Sequence, residues 1–159
     1  MIYKSEASLL KEPIKEFFDI ALGEYDVTEF VLLAQLAGAL DVLSAQYHSL
    51  PNCEPDNESD PPDSPHEEYV RLYHRAAARF PLLGYYPYIE PKGDIGEEVF
   101  LGDAIDDIAD IARDLSTVVW YMDQNRPASA IWDFRFGYQS HWGEHLLRLR
   151  HVIHHKLHY

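Results

Sequence analysis

The stretch of sequence that decides the fold reads AIDDIADIARDL and covers residues 104–115. At about 100° per residue, its side chains separate onto two opposite faces of one helix. The apolar face carries Ile105, Ile108, Ala112, Leu115 and Val119. The acidic face carries Asp103, Asp106, Asp107, Asp110 and Asp114. This pattern predicts a long amphipathic helix from about residue 102 to 125, with one side against a core.

The other periodic segments are helical as well. Apolar residues recur at helical spacing over residues 5–22, 27–48 and 66–79, and again from Pro127 to the end of the chain. A very short turn joins the last two helices, which predicts that they pack as an antiparallel hairpin. No strand pattern stands out. We therefore expect an all-α fold, a single-domain bundle of about five helices over residues 1–159 with a C-terminal antiparallel helical hairpin.

Two segments fall outside the helical pattern. Residues 51–65 contain five prolines among acidic and small polar residues, a composition typical of a loop or of a disordered segment. The segments on either side are each short for a separately folded domain, so we interpret 51–65 as an acidic, proline-rich internal loop. Residues 81–101 are aromatic and interrupted by glycine and proline, which favours an irregular connection that wraps the core.

Charge and composition exclude some partners. The formal net charge is −14, which argues against nucleic acid and against anionic membranes, because both are bound through Lys and Arg. We find no apolar run that approaches the roughly 18–20 residues of a spanning helix and no secretory signal at the N-terminus. A single cysteine, Cys53, excludes an internal disulfide. Together these features predict a cytoplasmic protein.

The acidic face of the 102–125 helix has two interpretations. A charged stripe opposite an apolar stripe is what any exposed helix shows, so the aspartates can be a solvated face. Carboxylates one turn apart repel each other, however, and the run costs stability unless cations lie nearby. Stacked carboxylates bind hard divalent cations such as Mg²⁺, Mn²⁺ or Ca²⁺, or hold a cationic partner.

The last helix supplies basic groups. Arg135 and His145 fall inside its predicted buried sector, His141 lies at the edge of that sector, and Trp142 lies within it. A buried arginine requires a carboxylate. We therefore expect Arg135 to pair with Asp107, Asp110 or Asp114. This pair is either a structural salt bridge beside a core histidine or part of a ligand or metal pocket.

Two histidine patterns carry weaker signals. The segment from His141 to His145 matches the H-x-x-E-H metalloprotease pattern, in which two histidines bind zinc and a glutamate acts as the base. Only 14 residues follow for a third ligand, and Glu144 is predicted to point away from the buried sector, so we do not favour a protease. Four histidines near the C-terminus, His151, His154, His155 and His158, form pairs at helical spacing and are typical of an exposed helix end.

Three stretches together resemble a bacterial family known as domain of unknown function 5063. They are residues 104–115, residues 132–136 followed by HWGEH at 141–145, and the aromatic stretch from Leu83 to Tyr86 that leads to Glu90 and Pro91. The resemblance covers most of the chain from about residue 66 onward. It implies a helical fold and supports the residues of the candidate site, but the family has no assigned activity.

Two functions remain open from the sequence. One is a binding or interaction module whose polar site lies between the last two helices, with a protein or small molecule as partner. The candidate residues are Asp106, Asp107, Asp110, Asp114, Arg135, His141, Trp142 and His145. The alternative is a metal-dependent hydrolase, similar to helical nucleotide pyrophosphatases, in which Glu97 and Glu98 accompany the aspartates. Its divalent metal would be held by Asp107, Asp110 and Asp114 together with His145 or His141.

Overall fold

The computed structural model describes residues 2–24, 26–92, 94–96 and 98–159. Helices dominate it, and one short sheet interrupts them. In chain order the elements are α1 (Lys4–Ser8), α2 (Lys11–Leu22), α3 (Glu29–Ser49), α4 (His66–Arg79), β1 (Tyr85–Tyr88), β2 (Phe100–Asp103), α5 (Ala104–Asp123), α6 (Pro127–Ser140) and α7 (Trp142–His158). The all-α bundle expected from the sequence is therefore confirmed.

The central helix of the bundle is α5. It packs against α2, α4, α6 and α7, and eleven of its twenty residues are buried. Fully buried Ile108, Ile111 and Leu115 contribute to one hydrophobic core, which also receives Phe17 from α2. Because neighbours surround α5, its acidic face is covered by protein along part of its length.

The first predicted helix is divided in two. Its break lies at Leu9 and Leu10, between α1 and α2, and not at Pro13. Pro13 occupies the first turn of α2, where a backbone N–H has no partner within the helix and its loss costs little.

The expectation of one continuous helix from Pro127 to the C-terminus was wrong. The chain breaks at His141, whose φ of −151° and ψ of −80° are not helical. Gly143 permits the break, because a Cβ there would collide with the carbonyl oxygen of Tyr138. The turn brings Trp142 against Phe134 with ring centroids 4.9 Å apart, so α6 and α7 present differently rotated faces to the core.

The expected irregular connection over 81–101 also differs, because it contains a two-stranded antiparallel sheet. In this sheet Tyr85 pairs with Asp103 and Tyr88 pairs with Phe100. Each strand has only four residues, too few for an alternating pattern to be recognised. Gly102 has no side chain where the ring of Tyr86 passes, and this close approach places the Tyr86 hydroxyl next to α5.

The proline-rich loop contacts the turn between α5 and α6 through Asp56 and Ser59. Buried Arg126 donates from Nε to Asp56 Oδ1 at 2.9 Å and from Nη1 to the Ser59 carbonyl at 2.6 Å. Ser129 donates to Asp56 Oδ2 at 2.8 Å and accepts from the Asp56 backbone N–H at 3.1 Å. We call Arg126, Asp56, Ser59 and Ser129 the loop anchor.

The expectation that no segment approaches the length of a membrane span needs correction. Among the described helices, α3 is the one that is long and apolar enough to cross a membrane by length and composition alone. Core helices pass the same test. One face of α3 lies in the core through leucines at helical spacing, namely Leu32, Leu33, Leu36, Leu40 and Leu43.

Candidate functional site

The acidic face of α5 and the first turns of α7 meet in a cluster of ionisable groups. Asp107, Asp110 and Asp114 come from α5, His141 lies at the start of α7, and His145 lies one turn further on. We call these five residues the His–Asp cluster. Since His141 contacts Asp114 and His145 contacts Asp107, α7 runs antiparallel to α5 here.

His145 is the most enclosed imidazole of the cluster. Its side chain is 14% exposed, and its Nδ1 lies 2.7 Å from Asp107 Oδ1. The hydroxyl of Tyr86 donates to Asp107 Oδ2 at 2.5 Å, so both oxygens of this buried carboxylate are engaged. Because a carboxylate accepts hydrogen bonds, Nδ1 carries the proton of the neutral ring, and the lone pair remains at Nε2.

His141 repeats the arrangement nearer the surface. Its Nδ1 lies 2.6 Å from Asp114 Oδ2, and its side chain is 42% exposed. Asp114 in turn lies close enough to Asp133 on α6 for its charge to raise the pKa of that residue. The two imidazoles are neighbours, with ring centroids 4.8 Å apart. The same carboxylate contact therefore leaves Nε2 available on both histidines.

Asp110 lies where the two imidazoles meet. Arg113 donates to its Oδ1 at 2.7 Å, and its Oδ2 is 3.6 Å from Nε2 of His145. One ligand atom from each of Asp110, His141 and His145 lies within 4.8 Å of the other two. These three residues are the metal-ligand group found among the described residues, and they bring two nitrogens and one oxygen to a common point.

The electrostatics of the cluster favour an added cation. Burial, followed by the charge of nearby Asp106, raises the pKa of Asp110. Burial alone would lower the pKa of His145, but the hydrogen bond from its ring to Asp107 and the charges of Asp107 and Asp110 outweigh it and raise that pKa. Both shifts mean that the folded protein favours gaining positive charge at this point, as a proton or as a metal ion.

Arg135 does not join the cluster, so the predicted pairing with Asp107, Asp110 or Asp114 was wrong. Its Nη1 donates to the carbonyls of Tyr47 at 2.7 Å and Leu50 at 2.8 Å, and its guanidinium lies over the Tyr47 ring. These are carbonyls at the end of α3, where a helix has acceptors without partners. The break at His141 explains the difference, because it rotates α6 relative to α7 and turns Arg135 toward α3.

Three other predicted residues have separate roles. Trp142 is fully buried between Phe134 and Tyr138, and so it contributes packing next to the cluster. Asp106 faces α4 and accepts a hydrogen bond from the hydroxyl of Tyr69. Glu144 points outward as expected, with its side chain 57% exposed, and contacts Arg148.

The predicted metal set divides into two groups. Asp110 and His145 lie at the point of convergence, whereas Asp107 and Asp114 lie behind the histidine rings as hydrogen-bond acceptors. His141, which the sequence offered as an alternative to His145, takes the remaining position beside it. Glu97 of the hydrolase alternative lies outside the described residues, and Glu98 precedes β2.

Sequence reasoning missed four residues that shape the site. Tyr86 and Arg113 orient Asp107 and Asp110, Asp133 faces Asp114, and Arg148 lies beside His145. Arg113 could have been found, because it lies three residues from Asp110 on the same helix. Tyr86 belongs to the aromatic stretch that carries the family resemblance, but its spacing did not predict a contact with α5, since it reaches α5 through the unexpected sheet.

Fold and site together define an all-helical protein with a His–Asp cluster between its central and C-terminal helices. The chain belongs to the family described as domain of unknown function (DUF5063), whose profile matches residues 3–159. It is also similar to the crystal structure of protein BF1032 from Bacteroides fragilis, a structural genomics target, with a TM-score of 0.75, 17% identity and 99% of each chain covered. At that identity the likeness shows the fold alone. No protein with a curated description matches the chain.

Proposed function

We propose that this protein binds a divalent transition-metal ion through Asp110, His141 and His145. The observation that carries the proposal is the convergence of one ligand atom from each of these residues within 4.8 Å, while both Nδ1 atoms are engaged by aspartates. Acidic groups alone are common on helices. Two imidazoles oriented toward a carboxylate are a far more specific arrangement.

The distances suit a metal ion of ordinary size. Zinc binds histidine nitrogen and carboxylate oxygen at about 2.0–2.2 Å, which in a tetrahedral site separates two ligand atoms by about 3.4 Å. Nε2 of His145 and Oδ2 of Asp110 are 3.6 Å apart. Arg113 holds only Oδ1 of Asp110, so Oδ2 is available without breaking that contact. A small movement of exposed His141 completes the set.

The surroundings are those that metal-binding histidines normally have. Such histidines donate their second N–H to a carboxylate or carbonyl, which fixes the ring and strengthens the ligand nitrogen. Asp107 does this for His145 and Asp114 for His141. Mixed imidazole and carboxylate ligands favour Zn²⁺, Mn²⁺ or Fe²⁺ over Mg²⁺ and Ca²⁺, which prefer oxygen alone.

The finer proposal is a metal-dependent hydrolase. A site with three protein ligands keeps a position for water, and a bound metal lowers the pKa of that water to about 7. His141 is the most exposed of the three ligands and leaves one side of the site open to solvent. In contrast, a structural zinc site is closed by a fourth protein ligand.

Metal binding is tested by calorimetric titration of chelator-treated protein with Zn²⁺, Mn²⁺ and Mg²⁺. The C-terminal histidine pairs are a competing surface site, so the titration uses the double variant His154→Ala/His155→Ala, which interrupts both pairs. We expect one equivalent of Zn²⁺ or Mn²⁺ to bind, with Mg²⁺ at least 100-fold weaker. Adding His145→Ala should reduce the affinity at least 100-fold.

Binding must also raise the melting temperature, because a ligand that binds only the native state stabilises it. Absence of stoichiometric binding in the double variant, or binding that survives His145→Ala, would overturn the proposal. The cluster would then be a structural polar core. Turnover of phosphate and carboxylic esters and of nucleoside triphosphates by loaded protein, lost in His145→Ala, tests the hydrolase; binding without turnover leaves only the metal-binding function.

A further inference from the structure

A second site adjoins the His–Asp cluster, in the cleft between β1 and α7. A cavity of about 330 Å³ lies there, with Tyr86, Pro87 and Tyr88 on one wall. A neighbouring cavity of about 600 Å³ shares Tyr88 and Arg148 with it and extends toward the end of the sheet. These volumes fall within the range of small-molecule pockets, about 300–1,000 Å³.

The other wall of the smaller cavity is basic. It is formed by one face of α7, with Arg148, His151, His155 and Lys156 around the apolar side chain of Val152. The whole chain carries a formal charge of −14 with histidine counted as neutral, whereas the residues that line this cavity include Arg148 and Lys156 and no acid. Such a local field attracts anions although the protein as a whole repels them.

Arg148 is the best-placed cation of this wall. Its side chain is only 20% exposed, and its guanidinium lies 4.6 Å from the centre of the Tyr88 ring. Its Nε is buried and has no hydrogen-bond partner among the described residues. Its terminal nitrogens lie 3.3 Å from Glu144 and 3.5 Å from His145, and its side chain also hydrogen-bonds to the hydroxyl of Tyr86.

Arg148 therefore has N–H groups that can still donate hydrogen bonds. Guanidinium donors form a planar fork that matches two oxygens of a carboxylate or phosphate, and a buried donor without a partner costs free energy. An oxyanion in the cleft would pair with the terminal nitrogens of this guanidinium, since Arg148 lines the cavity. Tyr88, Pro87 and Val152 offer the adjoining apolar surface, which suits a planar, mostly apolar body attached to that oxyanion.

We propose that the cleft between β1 and α7 binds a small molecule with a planar apolar body and a carboxylate or phosphate group, and that Arg148 holds the oxyanion. The planar part packs against the apolar surface of Pro87, Tyr88 and Val152. The inference does not require the metal proposed above, although the contact between Arg148 and His145 places the oxyanion next to that site.

The test uses chelator-treated protein, so that its failure is distinct from failure of the metal proposal. Benzoate, phenyl phosphate and neutral benzyl alcohol are titrated separately and followed by NMR, including the Nε–H signal of Arg148. We expect at least one anion to bind with a Kd below about 1 mM and to shift that signal. Benzyl alcohol should bind at least tenfold more weakly, and the stronger of the two anions identifies the oxyanion.

Two variants and one matched control complete the experiment. Arg148→Met should weaken anion binding at least tenfold, and Tyr88→Leu at least threefold. Arg150→Met is the control, because Arg150 lies on the same helix but pairs with Asp41 of α3, at 2.8 Å from Nε to Oδ1. Failure of both anions to bind below 10 mM would overturn the proposal. Equal binding of benzyl alcohol, or unchanged affinity in both Arg148→Met and Tyr88→Leu, would overturn it as well.

Discussion

Two polar clusters lie near opposite ends of α5, and they balance charge in opposite ways. In the loop anchor, Arg126 meets Asp56, and hydroxyl and carbonyl groups satisfy the remaining donors. In the His–Asp cluster, Arg113 pairs with Asp110, whereas Asp107 and Asp114 face imidazoles that are neutral unless protonated. In the loop anchor the arginine and the aspartate pair with each other. The His–Asp cluster, in contrast, has more negative than positive charge.

This difference separates a structural cluster from a candidate site. Burying a charge costs free energy unless it is paired, so a cluster that serves only stability should neutralise itself. The loop anchor does so and fixes a proline-rich loop. In the His–Asp cluster, burial and then the charge of nearby Asp106 raise the pKa of Asp110, and a bound cation would offset both effects. Excess charge of one sign at a point of convergence is what a cation site requires.

Removal of the anchor arginine should have the largest structural effect and no effect on metal. In Arg126→Met the carboxylate of Asp56 loses its partner, and the pKa of Asp56, now lowered to about 2 chiefly by that hydrogen bond, should rise toward its ordinary value. We expect backbone amides of the 51–65 loop to lose at least tenfold of their protection in hydrogen exchange. Metal affinity should stay within twofold of wild type; a large loss would mean that the two clusters are not separate.

Removal of a carboxylate behind a histidine should weaken metal binding. In Asp107→Asn the ring of His145 keeps its position but loses a charged acceptor. Metal affinity should fall by about 10–100-fold, the usual effect of such partners. The pKa of His145 in the metal-free protein should also fall, as measured by NMR titration, because Asp107 is what raises it. Exposed Asp123 of the same helix, changed to Asn, is the matched control and should alter neither quantity.

The excess of negative charge should also appear as a pH dependence at Asp133. Burial, followed by the charge of Asp114, raises the pKa of Asp133 to about 6 from an ordinary 3.8. A raised folded-state pKa means that ionisation of this group costs stability, and that the cost grows as pH rises from about 4 to 6 and is complete above. Asp133→Asn should therefore stabilise the metal-free protein at pH 7, by about 1–2 kcal/mol after solvent screening.

At about pH 3 the same substitution should have almost no effect, because Asp133 is then mostly protonated in both the folded and the unfolded state. Urea unfolding at pH 7 and at about pH 3 measures both values. Exposed Asp63, changed to Asn in the proline-rich loop, provides the control. Equal stabilisation by Asp133→Asn at the two pH values would contradict the assignment.

The smallest expected effect concerns Arg135, which the structure separates from the cluster. A double-mutant cycle of Arg135→Met and Asp114→Asn should give a coupling energy below about 0.5 kcal/mol, the level found for independent sites. The single change Arg135→Met should still destabilise the protein, because two carbonyls at the end of α3 lose their donor. A larger coupling energy would mean that Arg135 interacts with the aspartates. The His–Asp cluster would then have less excess negative charge than described above.

Helical periodicity predicted much of the bundle and half of the site. It placed the aspartates of α5 on one face and His145 inward, because a regular helix fixes the direction of every side chain. It failed after Ser140, because Gly143 is compatible with a helical pattern and gives no sign that the chain breaks at His141. The partner of Arg135 depends on that break, and so it could not be derived from spacing.

Contacts between segments that are distant in the chain also could not be predicted from residue spacing. Tyr86 reaches Asp107 only because β1 pairs with β2 and Gly102 leaves room for the ring. Asp56 reaches Arg126 across 70 residues of chain. Both contacts rest on tertiary packing, which composition and periodicity do not encode locally.

The most direct test of the central claim is a crystal structure of zinc-loaded protein, with an anomalous difference map recorded at the zinc edge. The account predicts one strong peak within about 2.0–2.2 Å of Oδ2 of Asp110 and of Nε2 of both His141 and His145, with Asp107 and Asp114 still bound to the histidine Nδ1 atoms. A peak only at the C-terminal histidines, or no peak between α5 and α7, would contradict it.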